Sequence, residues 1–166
     1  MARKCFYSFH YKPDNWRVSK IRNIGSVEGN KPASDNDWEK ISGGGDTKIK
    51  QWIADQMKGR TCTVILAGKD TAGRKWINYE IAEAWNSGMG VLVIHIHNIF
   101  DRNDKQTVKG GNPLYHVEHG FSKKRLSSIA KAYDPPRNTS KGVYNYISDH
   151  IEDWIEEAIK IRNTND

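Results

Sequence analysis

Two almost uninterrupted apolar runs constrain the fold of this chain more than any other feature: Thr61-Cys62-Thr63-Val64-Ile65-Leu66-Ala67 and Val91-Leu92-Val93-Ile94-His95-Ile96. Neither alternates polar with apolar residues, so neither suits a strand with one wet face; both read as strands covered on two sides. Between them, from about Arg74 to Asn86, Ile77, Ile81, Ala84 and Trp85 recur at helical spacing until Ser87-Gly88 ends the pattern. Buried strands alternating with a helix of this kind imply a parallel sheet with helices on both faces.

The rest of the chain fits that frame. Cys5 to His10 reads as a first strand, followed by a turn at Lys12-Pro13-Asp14. Asp14 is expected to cap a helix bearing Val18, Ile21 and Ile24, and Asp46 to cap a second bearing Ile49, Trp52, Ile53 and Met57. From Gly25 to Gly45 the chain is polar and loop-like, with room for a short second strand near Ser26-Val27; loops of this length are usually functional. Residues 99–125 read as an irregular excursion, Leu126–Ala132 as a fifth strand, and 140–162 as a final helix. Tyr144, Ile147, Ile151, Trp154, Ala158 and Ile161 form the inward stripe of that helix, and its run of Asp and Glu is a wet face. The expected architecture is a single α/β domain over 1–166, without repeats.

Composition bounds the function. Apolar residues are 37% of 166, enough for one sizeable core and too many for whole-chain disorder. No apolar run is long enough to span a bilayer, and the first residues lack the pattern of a secretory leader. The two cysteines, Cys5 and Cys62, lie within strand-like runs and read as reduced packing residues, which implies a reducing, cytoplasmic setting. Net charge is +6, but the cations are scattered among acids and no nucleic-acid-binding motif is visible. A basic surface serves a pyrophosphate-bearing ligand as well as it serves a polynucleotide.

In an open parallel sheet, ligands sit beyond the carboxyl ends of the strands. That points to Ser8-Phe9-His10-Tyr11, to Gly68 through Trp76, and to His95 through Asn98. Trp76 and Glu80 are four apart, one turn of the same helix side, and a carboxylate beside an indole suits a cationic ring or a sugar developing positive charge. Spacing alone favours the plainer reading, an ordinary surface Glu beside a core Trp. His95 and His97 form an H-x-H, but no third ligand is suitably spaced, so satisfied strand-end histidines are expected and no metal. A P-loop, a phospho-acceptor Asp and a Gly-x-Ser-x-Gly elbow are all absent from the sequence.

At these residues the sequence resembles the TIR-like domains of the Thoeris antiphage defence family. The resemblance is carried by Ser8-Phe9-His10-Tyr11 with Asp14, Trp16-Arg17 and Ile21-Arg22-Asn23, by Gly68 through Ile81, and by Ile94-His95-Ile96-His97-Asn98. Trp76-x-x-x-Glu80 has the spacing of the Trp-Cys-x-x-Glu arrangement of NAD⁺-cleaving TIR domains, with Ile77 where the Cys usually stands. The resemblance implies a flavodoxin-like, three-layer fold with five mostly parallel strands. It also implies an NAD⁺ glycohydrolase or ADP-ribosyl cyclase activity, with NAD⁺ as substrate and no further cofactor. Glu80 would be catalytic. Ser8, Phe9, His10, Tyr11 and Arg17 would bind substrate, and Gly68, Thr71 and Trp76 would close the pocket. The product, of cyclic ADP-ribose type or another ADP-ribose conjugate, would be a second messenger for an effector protein. An infection-derived signal would trigger its synthesis, and the active form would be a homo-oligomer. The alternative is a non-catalytic scaffold or nucleotide-binding signalling module on the same fold.

Overall fold

The computed structural model describes residues 2–30, 41–119 and 122–165. Its strands are β1 (Arg3–Phe9), β2 (Val27–Gly29), β3 (Cys62–Ala67), β4 (Gly90–His95), β5 (Glu118–His119), β6 (Lys124–Arg125) and β7 (Ala132–Tyr133). Five of them form one sheet in the order β2-β1-β3-β4-β7, every neighbouring pair parallel. β5 and β6 make a separate antiparallel ribbon within the excursion between β4 and β7. The unbroken apolar runs are explained directly: every residue of β3 and β4 is buried, because helices cover both faces of the sheet.

The helices are α1 (Tyr11–Arg22), α2 (Gly45–Met57), α3 (Lys75–Asn86) and α4 (Ser140–Asn163). Val18 and Ile21 of α1 and Ile147, Ile151 and Trp154 of α4 pack on Tyr7, Val64, Leu66, Leu92 and Ile94. Ile49 and Ile53 of α2 and Ile77 and Ile81 of α3 pack on Phe6, Ile65, Val91 and Val93 of the other face. The alternation along β1 and β4 follows from the two-residue period of a strand. Thr139 caps α4, its hydroxyl accepting a hydrogen bond from the Gly142 N–H at 3.0 Å, and Lys160 and Arg162 sit in the last turn where the helix dipole favours cations.

Three local expectations are corrected. α1 begins at Tyr11 with His10 as N-cap, so Asp14 lies inside the helix and does not cap it. Pro13 is tolerated there because the first-turn N–H groups have no intrahelical acceptor to lose. α2 starts at Gly45 with Gly44 as N-cap, leaving Asp46 in the first turn, 2.7 Å from Lys75. The fifth strand is only Ala132–Tyr133; Leu126–Ser128 is a 3-10 turn that carries Leu126 into the core. Cys5 and Cys62 are register partners on β1 and β3, both buried and both free thiols. Residues 31–40 of the expected long loop lie outside the described residues.

Candidate active site

The strand order reverses direction between β1 and β3: the chain leaves β1 toward β2 on one side and returns to β3 on the other. This is the topological switch point, where the loops after neighbouring strands diverge and leave a crevice. A cleft of about 830 Å³ lies there. One wall is the end of β1 and the start of α1, with Phe9, His10, Tyr11 and Lys12; the other is Asp70 and Ala72 to Lys75, and Trp52, Trp76 and Glu80 come from α2 and α3. Its volume is that of a small-molecule or cofactor site. A shallower groove of about 870 Å³ runs between residues 124–131 and the end of α4, but there Lys131 is already paired with Glu157 at 2.5 Å.

Glu80 is one turn after Trp76 on α3, and both face the cleft while Ile77 and Ile81 turn into the core. Glu80 as a residue is half-buried and lines the cleft, with its carboxyl surrounded by protein. Burial pushes its pKa up to about 8, partly opposed by the nearby Ser8 hydroxyl. Ser8 is 1% exposed, and its Oγ makes no hydrogen bond of ordinary geometry among the described residues, so its influence on Glu80 is that of a close dipole. Aromatic rings surround the opening. Phe9 and Tyr11 lie 6.1 Å apart, and Trp76 meets Tyr79 edge-on at 5.6 Å. His10 presents a buried Nδ1 without a partner among the described residues, and burial followed by the Arg74 charge lowers its pKa.

The structure brings together Phe9, His10, Tyr11, Trp76 and Glu80 as cleft-lining residues, with Ser8 against Glu80. Arg17, Gly68 and Thr71 stand elsewhere. Arg17 is 2% exposed and donates to the carbonyls of Ile99 (2.7 Å), Lys105 (2.9 Å) and Pro13 (3.2 Å) and to the Asp14 carboxylate (3.3 Å). Thr71 Oγ accepts the Gly68 N–H at 2.9 Å and reaches Asp14 at 3.5 Å. A Cβ on Gly68 would fall 2.2 Å from the Asp14 carboxylate, so glycine is what lets the loop after β3 close onto α1. These residues hold the cleft's walls from behind. Lys12, Asn30, Trp52 and Arg74 line the cleft without having been singled out; Trp52 shares the helical spacing of a core stripe, and the others carry no periodic signal.

His95 and His97 are buried, and burial lowers the pKa of both, His95 to about 4. Their Nδ1 atoms have no hydrogen-bond partner among the described residues, so they are neutral but not satisfied as expected. No group of three or more His, Cys, Asp or Glu suited to a metal occurs among the described residues.

A five-stranded all-parallel sheet in this order, covered by helices on both faces, is consistent with a TIR-like domain. The sequence model for the TIR-like domain of Thoeris protein ThsB matches residues 6–101, more than half of the chain, and the chain belongs to that family. It is 29% identical over 127 residues to a protein of Bacillus cereus (strain MSX-D12) named "Putative cyclic ADP-D-ribose synthase ThsB1". The similarity covers 74% of this chain and 66% of that relative's length.

Proposed function

We propose that this protein cleaves the bond between nicotinamide and ribose in NAD⁺ and converts the ADP-ribosyl part to a cyclic ADP-ribose-type product. The observation that carries the reading is the buried Glu80 carboxyl in the lining of an aromatic-walled cleft. The printed name of the Bacillus cereus relative supports the same chemistry. Nicotinamide in NAD⁺ is already cationic. As the glycosidic C–N bond breaks, its electron pair leaves with the ring, which becomes neutral, and positive charge passes to the ribose. A carboxylate close to that ribose stabilises the charge more in the transition state than in the ground state. Capture by a nucleophile on the same molecule gives a cyclic product; capture by water gives ADP-ribose.

Glu80 meets this task through substrate binding. In the free protein its raised pKa favours the protonated form at neutral pH, and a cationic ring seated beside it favours ionisation. The protonated free state also suits a second reading, a scaffold that binds nucleotide without turnover. Family membership supports a role in defence signalling, with the product acting as a diffusible messenger for an effector after an infection-derived trigger. We assign it to the cytoplasm on its two free, buried thiols; no described helix is long and apolar enough to cross a membrane.

The test is chromatography with mass detection on NAD⁺ incubated with concentrated protein under crowding, wild type beside Glu80→Gln. Nicotinamide release by wild type, reduced about 10²–10³-fold in the variant, is the expected result. Equal release by both would remove Glu80 from the chemistry, and bound but intact NAD⁺ would favour the scaffold.

A further inference from the structure

We propose that Lys12 and Arg74 at the rim of the cleft grip the pyrophosphate of the dinucleotide, fixing its nicotinamide ribose inward at Glu80 and its adenosine outward. This rests on reading the cleft as an NAD⁺ site. A doubly charged pyrophosphate calls for cations that can give up water without breaking internal bonds. Arg17 is disqualified, since its guanidinium is buried and committed to three carbonyls and Asp14. Lys75 also lines the cleft, but its ammonium lies 2.7 Å from Asp46. Lys12 and Arg74 remain. Both are exposed, and the side chain of neither has a hydrogen bond or ion pair among the described residues.

Their placement suits a group held at the mouth of the cleft. Lys12 belongs to the wall after β1 and Arg74 to the wall after β3, so the two flank the opening of the switch-point crevice. Arg74 is the N-cap of α3 and Glu80 lies six residues on, about 9 Å along the helix axis, so cation and carboxyl stand at different depths along the same helix. The first turns of α1 and α3 both line the cleft, so the positive ends of their dipoles lie at the same opening, and neither is capped by its N-cap side chain. The charge of Arg74 is felt inside the cleft, where it lowers the pKa of His10. Asp70 is the opposing charge at the rim, and it faces a pair of cations.

The experiment is calorimetric titration of the full chain with ADP-ribose, NAD⁺ and adenosine, for wild type and for Lys12→Gln/Arg74→Gln. Both positions are exposed, so the double variant is expected to fold and to melt like wild type. ADP-ribose affinity should fall about tenfold or more in the variant, while adenosine binding stays the same. Added salt should weaken ADP-ribose binding to wild type and leave adenosine binding unaffected. Equal ADP-ribose affinity in both proteins overturns the subsite while the cleft reading survives. If wild type binds neither ADP-ribose nor NAD⁺, the cleft reading falls and the subsite with it. A parallel loss of adenosine binding overturns the assignment of these cations to phosphate.

Discussion

At the scale of single residues, the two most informative side chains are Glu80 and Arg17, and they differ in what their burial does. Glu80 is an acid whose folded pKa, about 8, lies above the ordinary carboxylate range. Between those values the folded protein keeps a proton that the unfolded chain has lost, so stability declines as pH rises through that window. Glu80→Gln should therefore be more stable than wild type at pH 9, by about 1–3 kcal/mol, with the gap closing toward pH 5. Denaturant melts of both proteins at the two pH values check this. In turnover, kcat/KM should climb with pH to a plateau above 8, and kcat should reach its plateau at lower pH because the bound cationic ring helps ionise Glu80. A flat profile from pH 6 to 9 would sink that role. Arg17, by contrast, is charged, buried and fully engaged. Arg17→Gln should cost about 3–5 kcal/mol, because it strands the Asp14 carboxylate. Arg17→Lys should also destabilise, since one ammonium cannot replace a fork that spans four acceptors. Urea midpoints measure both effects.

The elements show why some of the site was readable from sequence and some was not. Trp76 and Glu80 share α3, whose register is fixed by its core stripe, so their common side follows from a spacing of four. The covered strands were equally plain, because a strand buried on both faces leaves an unbroken apolar run. Arg17 entered as a ligand through the family resemblance alone, and Lys12 and Arg74 did not stand out because charge has no periodicity. The acceptors that claim Arg17 are backbone carbonyls 82 and 88 residues away, which nothing local announces. The segment after β4 reads from the sequence as irregular, though its Gly110-Gly111-Asn112-Pro113 belongs to the family resemblance, and it lies across the loop after β3. A Cβ at Gly110 would meet Gly68 O at 2.3 Å and Lys69 O at 2.5 Å, both backbone atoms that cannot swing aside. Gly110→Ala should therefore shift the cleft's second wall, costing about 1–3 kcal/mol and raising KM for NAD⁺. Gly25→Ala, where a Cβ would meet nothing within 4 Å, is the matching control. Equal KM values for the two variants would separate the overlying segment from the cleft.

For the whole molecule, buried titratable groups pull stability in opposite directions. His95 and His97 are held neutral by burial, with folded pKa values below the ordinary imidazole value. Their contribution is complete above about pH 6.5 and is lost as pH falls through the folded pKa, about 4 for His95. Glu80 acts in the other sense at higher pH. The protein should therefore be most stable near about pH 6, and His95→Gln should flatten the acid side of that maximum in melts from pH 7 to 4.5. The exposed pairs Arg3–Glu156 and Lys75–Asp46 should add little, and removing either should leave the melting curve nearly unchanged. The Arg3–Glu156 pair has a different use. It places the start of β1 beside the last turns of α4, and Arg162 reaches the Trp85 carbonyl at the far end of α3 from Arg74. The first and last described segments thus emerge on the side of the sheet opposite the cleft. A protein tethered to a sensor surface through either of them would present its cleft to flowing solution, so binding can be followed without blocking the mouth.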